Sequence, residues 1–366
     1  MTEQIRMPRV TVFSLGGTIA STNDAGAEAG GVAPRLGAAE LVQAVPRLRE
    51  TAELESVAFR QAPSPDLTGA DISELAAEID KRFADGVDGV VITQGTDTIE
   101  ETSFALDLLV RGPQPVVVTG AMRNPTLAGP DGSANLLAAV QVAVTPGAAG
   151  LGALVVLNDE IHAARFVRKT HTTNPATFRS VSAGPIGWVT EGRPRIGLRP
   201  APLRRDDLPP PGTGSFPAVA LLTCALGDDL RLVGELERLG YAGLVIEAFG
   251  GGHVPGHAVP KLAEVAARMP VVLTSRTGSG ELLRETYGFP GSERDLLSRG
   301  LIPAGFLDGP KARILLSLLL AGHAASAADP AAVRIAFQRF LDSTFWPPAQ
   351  PGGSHHDRVA STGPIV

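Results

Sequence analysis

Short apolar runs alternate along this chain with stretches whose apolar residues recur at helical spacing. Residues 10–15 are β-rich and end at Gly16-Gly17; residues 38–45 predict a helix and residues 56–61 a strand. Over residues 70–84, Ile72, Leu75, Ala76, Ile79 and Phe83 fall on one helical face. Residues 89–93 predict a strand, 99–110 a helix, 115–119 a strand, 133–144 a helix and 153–157 a strand. Thr98 is a candidate cap for the helix from 99, and Glu100 and Glu101 place negative charge in its first turn, where it suits the dipole. This alternation predicts an α/β fold, a mainly parallel sheet with helices on both faces.

The rhythm breaks from Arg193 to Pro217, a Pro- and Gly-rich stretch holding the charged run Arg204-Arg205-Asp206-Asp207. It predicts an interdomain linker. Alternation resumes with a strand at 218–224, a helix at 230–239, a strand at 243–248, a helix at 260–269 and a strand at 271–275. Helices at 311–320 and 331–341 close it, and a loose tail starts at Trp346. The expected division is an N-terminal α/β domain over 1–193, a linker over 194–217, a C-terminal α/β domain over 218–345 and a tail over 346–366. A chain of 366 residues is long enough for two cores.

Composition narrows the function classes. With 44% hydrophobic and 19% charged residues the chain is foldable rather than disordered. Its net charge of −6 comes without a basic stripe, which argues against nucleic acid as a partner. Cys224 is the only cysteine, so no intrachain disulfide can form, and its apolar surroundings predict a packed thiol. Residues 1–9 show no secretory pattern, and the apolar run 314–321 is too short to span a bilayer. A cytoplasmic protein acting on small molecules, with no membrane partner, is expected.

In open parallel sheets ligands bind beyond the carboxyl ends of the strands. Three segments follow strands there. In Leu15-Gly16-Gly17-Thr18 two glycines permit close backbone approach to a ligand, and residues 22–34 lack bulky anchors, as expected of a mobile lid. In Gln94-Gly95-Thr96-Asp97-Thr98 a carboxylate stands at the strand tip, although Thr96, Asp97 or Thr98 serve equally as a helix cap. Residues 158–170 carry Lys169, which can pair with a strand-tip carboxylate or act as a base when shielded, or be one more solvated cation. His253 and His257 are separated by Pro255 and Gly256, which prevent the helix a shared metal needs.

Each segment alone is weak; together they resemble the bacterial-type L-asparaginase family. Residues 15–20 resemble its first signature and 94–102 its second. Gly120-Ala121-Met122-Arg123, Asp131-Gly132, Asn135-Leu136, Asn158-Asp159, Arg165, Lys169, Thr177-Phe178-Arg179-Ser180 and Gly309-Pro310-Lys311-Ala312-Arg313 continue the likeness in order, over roughly residues 8–345. The resemblance implies a larger N-terminal and a smaller C-terminal α/β domain, no metal or other cofactor, and homotetramers built as dimers of dimers with sites at subunit interfaces. It implies Thr18 as the nucleophile of an acyl-enzyme, with Thr96, Asp97 and Lys169 in a hydrogen-bonded group. Asp97 then receives the substrate ammonium and Ser64 its carboxylate, while Gly17, Gly95 and Ala121 border the substrate.

The chain also departs from the family pattern. Its only tyrosines are Tyr241 and Tyr287, so the lid lacks the family's relay tyrosine. Residues 280–289 resemble the place where a neighbouring subunit reaches into the site with a glutamate, which implies Glu285 for substrate and Tyr287 or Glu285 as a substitute relay, the alternative being that Tyr287 is a core tyrosine. Pro65 stands where a substrate-binding glutamine is common, Gln94 where a histidine is usual, and Gly251 where an asparagine often appears. The expected activity is hydrolysis of the L-asparagine side-chain amide to aspartate and ammonia. The alternatives are glutamine or another ω-amide as substrate, or a non-catalytic amide-binding protein on the same fold.

Overall fold

A computed structural model describes residues 6–17, 19, 21–23, 32–34, 38–323 and 329–345. β1 (Arg9–Ser14) is followed by β2 (Ser21–Asn23), β3 (Val32–Pro34), α1 (Ala38–Gln43), α2 (Leu48–Thr51) and β4 (Glu53–Ala58). Then come α3 (Gly69–Ala84), β5 (Gly89–Thr93), α4 (Ile99–Leu109), β6 (Val116–Thr119), α5 (Gly132–Ala143) and β7 (Ala153–Leu157). Five short strands follow: β8 (Glu160–Ala163), β9 (Arg168–Lys169), β10 (Phe178–Arg179), β11 (Gly187–Thr190) and β12 (Arg193–Ile196). The second half holds β13 (Val219–Thr223), β14 (Gly243–Ala248), α6 (Val259–Ala266) and β15 (Val271–Ser275). It closes with α7 (Glu293–Ser298), β16 (Ile302–Pro303), α8 (Gly309–Gly322) and α9 (Pro330–Phe345).

The first sheet is ordered β12-β11-β8-β7-β6-β5-β1-β4, with β4, β1, β5, β6 and β7 parallel and the other three antiparallel. The mainly parallel sheet read from the sequence is there, and the antiparallel edge is what the sequence reading lacked. Asn158 and Asp159, with φ of 52° and 60°, turn β7 directly into β8. Two adjacent left-handed residues match the twist of a tight hairpin, and Asn and Asp tolerate that region best.

Alternation sorts the strand residues between two layers. Val10, Val12, Val91, Val117, Leu154 and Val156 face α1, α2 and α5, while Val90, Ile92, Val116, Val118 and Val155 face α3 and α4. The whole predicted stripe of α3 is buried, and Thr68 and Asp71 form a reciprocal capping box at its start. From β4 through β7 the chain steps steadily across the sheet, yet α3 and α4 cover one face and α5 the other. The β6–α5–β7 crossover therefore has the opposite hand to those before it, and it brings the start of α5 under the loop after β6.

The second sheet, β13-β14-β15-β16, is parallel throughout. Helices α8 and α9 lie between the sheets, and Leu315, Leu319 and Phe337 share one core with Phe104, Leu108 and Val155. Apolar contact, in addition to the connecting chain, joins the two halves.

Several expectations need correction. Arg193–Ile196 is an edge strand rather than the beginning of a linker; Pro194 is tolerated because the outer strand leaves one ladder unpaired. The following stretch lies against the first half, where Arg205 donates to Asp107 O and Arg199 to Gly147 O and Ala149 O. The helix expected at 230–239 is a short 3-10 turn, Arg231–Glu235, entered through Leu230 at φ 51°. Of the segment expected to form a lid, Ser21–Asn23 and Val32–Pro34 pair as an antiparallel ladder, with Ser21 opposite Pro34, while residues 24–31 lie outside the described residues. The expected tail at 346–366 also lies outside them.

Candidate active site

β1 pairs with β4 on one side and with β5 on the other, so the strand order reverses at β1. A crevice beyond the carboxyl ends is expected at such a switch point. Three turns close on one another there. A methyl group at Gly17 would lie 2.0 Å from Gly95 N, one at Gly16 would lie 2.6 Å from Ala62 O, and one at Gly95 would lie 2.7 Å from Ser64 Oγ. Gly16 and Gly17 also hold φ of +101° and +86°, which side-chain-bearing residues rarely adopt. The close approach anticipated for a ligand is thus made by neighbouring backbone. Thr18, the next residue, lies outside the described residues.

The turn after β5 is a 3-10 turn, Thr96–Thr98, and no side-chain cap bond from it serves α4. Thr98 donates its hydroxyl to Ser64 O at 3.1 Å, which corrects its expected capping role and ties the β4 and β5 turns together. The ammonium of Lys169 donates to Thr96 Oγ1 at 2.9 Å and to Asp97 Oδ1 at 2.6 Å. The side chain of Lys169 is 16% exposed and that of Asp97 64%. The lysine is therefore shielded rather than freely solvated, while the carboxylate stays open to a cationic ligand. Thr96 and Ser64 are buried.

Groups that sequence reasoning undervalued brace this arrangement. Gln94, fully buried, donates its amide to Gly95 O and Thr98 Oγ1, both at 3.3 Å. Asp131 accepts Met122 N and Arg123 N at 3.1 and 2.8 Å, and Asn135 donates to Gly120 O at 3.0 Å. Together they shape the loop holding Ala121, whose side chain is buried in the core with Ile19 and Leu136.

At the start of α4, burial raises the Glu100 carboxyl above its usual range. It pushes Glu101 up to about 7, with the charge of Glu100 adding to the effect. Between pH 4.5 and about 7 the folded protein thus holds a proton on Glu101 that the unfolded chain has released. Stability associated with this group is complete below the unfolded value and is lost as pH rises towards the folded one. Glu101→Gln is expected to flatten that slope and to stabilise the protein above pH 7 by about 1–2 kcal/mol, less than full linkage because the side chain is partly exposed. Thermal melts at pH 5 and pH 8 measure it; the same Glu101→Gln difference at both would contradict the assignment.

Among the described residues no hydrogen bond or ion pair links Tyr287 or Glu285 to this cluster. Tyr287 packs edge-on against His253 at 4.9 Å, is 43% exposed, and its hydroxyl has no hydrogen-bond partner among the described residues. Its backbone N–H and that of Thr286 donate to the buried carboxylate of Glu293, which also meets His253 Nε2 at 3.2 Å. Glu285 is exposed, as is His257. Cys224 is fully buried, and burial pushes its thiol up to about 11, so it is poorly suited to nucleophilic chemistry.

Comparison with known proteins agrees with this fold. Residues 9–201 match the family described as asparaginase, N-terminal, and residues 218–337 the glutaminase/asparaginase C-terminal domain. An L-asparaginase of Bacillus licheniformis is 34% identical over 320 residues, covering 86% of this chain and 96% of its own. A probable L-asparaginase of Deinococcus radiodurans is 39% identical over 327 residues, covering 86% and 93%. A crystal structure of a probable cytoplasmic L-asparaginase from Campylobacter jejuni superposes with a TM-score of 0.76 at 30% identity, covering 90% of this chain and 99% of that one. Among the described residues no helix is long and apolar enough to cross a membrane.

Proposed function

This chain belongs to the asparaginase family, and on that premise we propose that it hydrolyses the side-chain amide of L-asparagine to L-aspartate and ammonia. The observation that carries the reading is the shielded Lys169 ammonium bonded to both Thr96 and Asp97, at the switch point beside Gly17. Thr18 is the nucleophile: its oxygen bonds to the amide carbon, the carbon–nitrogen bond breaks, and nitrogen leaves as ammonia with the proton taken from Thr18. A water oriented by Thr96 and Lys169 then attacks the ester, releasing aspartate and restoring the threonine. Asp97 takes the substrate ammonium and Ser64 its carboxylate, with Gly17, Gly95 and Ala121 along the substrate. Donors at the turns steady the oxyanion.

The lid of this chain has no tyrosine, so the proton relay is assigned to Tyr287, with Glu285 contacting substrate, both from a neighbouring subunit. Their exposure supports that arrangement, because it leaves both side chains free to meet a second copy of the chain. A shared site requires at least a dimer, and the assembly proposed is a cytoplasmic homotetramer, a dimer of dimers.

Ammonia release from L-asparagine, L-glutamine, their D-forms and small dipeptides tests the substrate. L-Asparagine is expected to give the highest kcat/KM; a higher value with another ω-amide reassigns the substrate to that amide. Asp97→Asn keeps the shape and removes the charge, so KM for L-asparagine is expected to rise about 10–100-fold, the worth of one charged hydrogen bond, with a smaller change in kcat. An unchanged KM would contradict the ammonium-binding role.

A further inference from the structure

Lys169 is presented by a weak element. β9 has two residues and, among the described residues, pairs only with the two residues of β10. A two-stranded ladder of that size does not hold its own position in water, and a lysine side chain adds four flexible carbons. Yet the ammonium meets two acceptors at bonding distance.

The rigidity comes from groups outside the ladder, which grip three successive residues. Val167 O accepts the ammonium of Lys311 at 2.7 Å. Arg168 donates to Gly278 O at 2.9 Å and faces Asp308 at 3.5 Å. Lys169 N donates to Glu100 Oε2 at 2.8 Å. Glu100 sits three residues beyond Asp97, so one turn holds Lys169 at both ends, by its ammonium and by its backbone. Lys311, from α8 of the second half, is 1% exposed and is balanced by Asp308 at 2.9 Å. Burying a lysine costs more than burying an apolar side chain of its size, so stability alone does not account for it. Its other bond goes to the segment that carries Lys169.

We propose that Glu100 and Lys311 are positioning residues for amide hydrolysis: from α4 and from the second domain they fix the Val167-Arg168-Lys169 segment, so that the Lys169 ammonium reaches Thr96 and Asp97. The inference rests on the hydrolytic role of Lys169 given above. It also gives the second domain a part in the chemistry of the first, because a shift of α8 moves the segment through Lys311 and Asp308.

A double-mutant cycle in the full-length chain tests it, with ammonia release from L-asparagine as the readout. Glu100→Ala is expected to lower kcat about 10–100-fold, the scale of an ångström-sized misplacement, with little change in KM. Glu100→Gln retains most of the activity, because its amide oxygen still accepts the Lys169 N–H. In a Lys169→Met background Glu100→Ala has almost no further effect, since the group it positions is gone. Lys311→Met follows the same pattern. Should Glu100→Ala fail to fold, Glu100→Met, which keeps the stem and removes only the acceptor, replaces it in the cycle. Equal factors in both backgrounds, or an unchanged kcat for the folded Glu100 variant, overturn the inference while leaving the role of Lys169 intact. A Lys169→Met chain with full kcat overturns that role and this inference with it.

Discussion

Lys169→Met is expected to lower kcat for amide hydrolysis about 10²–10⁴-fold, the range for loss of a positioned proton-handling group. Methionine keeps much of the stem but cannot donate to Thr96 Oγ1 at 2.9 Å or to Asp97 Oδ1 at 2.6 Å. On the proposed mechanism, the Thr96 hydroxyl then loses the ammonium that orients it towards the attacking water. Folding should suffer little, because the partner carboxylate is 64% exposed and such ion pairs contribute about 0–1 kcal/mol. Steady-state kinetics beside a thermal melt separate the effects. A large fall in melting temperature with normal kcat would make Lys169 a structural cation.

Thr18→Ala is expected to have the largest effect of all. Loss of a nucleophile costs about 10⁴-fold or more in kcat, and the remaining groups do not replace it. The substitution removes one hydroxyl and one methyl group beside a glycine turn, so the turn contacts of Gly16 and Gly17 should persist. Asp97 and Ser64 also remain, so the variant should still bind L-asparagine, and calorimetry would record binding heat without ammonia. Retention of most of the turnover by Thr18→Ala would remove Thr18 from the mechanism.

Much of the fold was legible because burial imposes period. The parallel strands are apolar runs covered on both faces, and the stripe Ile72, Leu75, Ala76, Ile79 and Phe83 was readable because α3 has one buried side. What escaped was short or irregular. β8, β11 and β12 have four residues each, too few for periodicity to speak. The Asn158-Asp159 pair between two apolar runs was the available sign of a hairpin. The segment after Leu230 looked helical by spacing, but it contains Gly234, where a methyl group would meet Lys261 Cε at 2.5 Å.

At the site, the sequence supplied residue types at strand ends, and the structure supplied their connections. Glu100 read as a first-turn charge suited to the helix dipole, whereas it holds Lys169 N. Its sign was the pair of adjacent acids opening a helix otherwise buried nearly all round, since a carboxylate in such a place needs a partner. Gln94 read as a flanking replacement and proves to brace the Gly95–Thr98 turn. The Glu100 bond could not be foreseen from spacing, because its partner is 69 residues away.

The measurement that bears most directly on the central claim is a single experiment on the unaltered chain: L-asparagine injected in a calorimeter, with ammonia assayed in the same cell. Catalysis predicts sustained heat flow until the substrate is gone, with one ammonia for each aspartate formed. A saturable binding heat with no ammonia would contradict it, making the Thr96–Asp97–Lys169 cluster a recognition site without turnover.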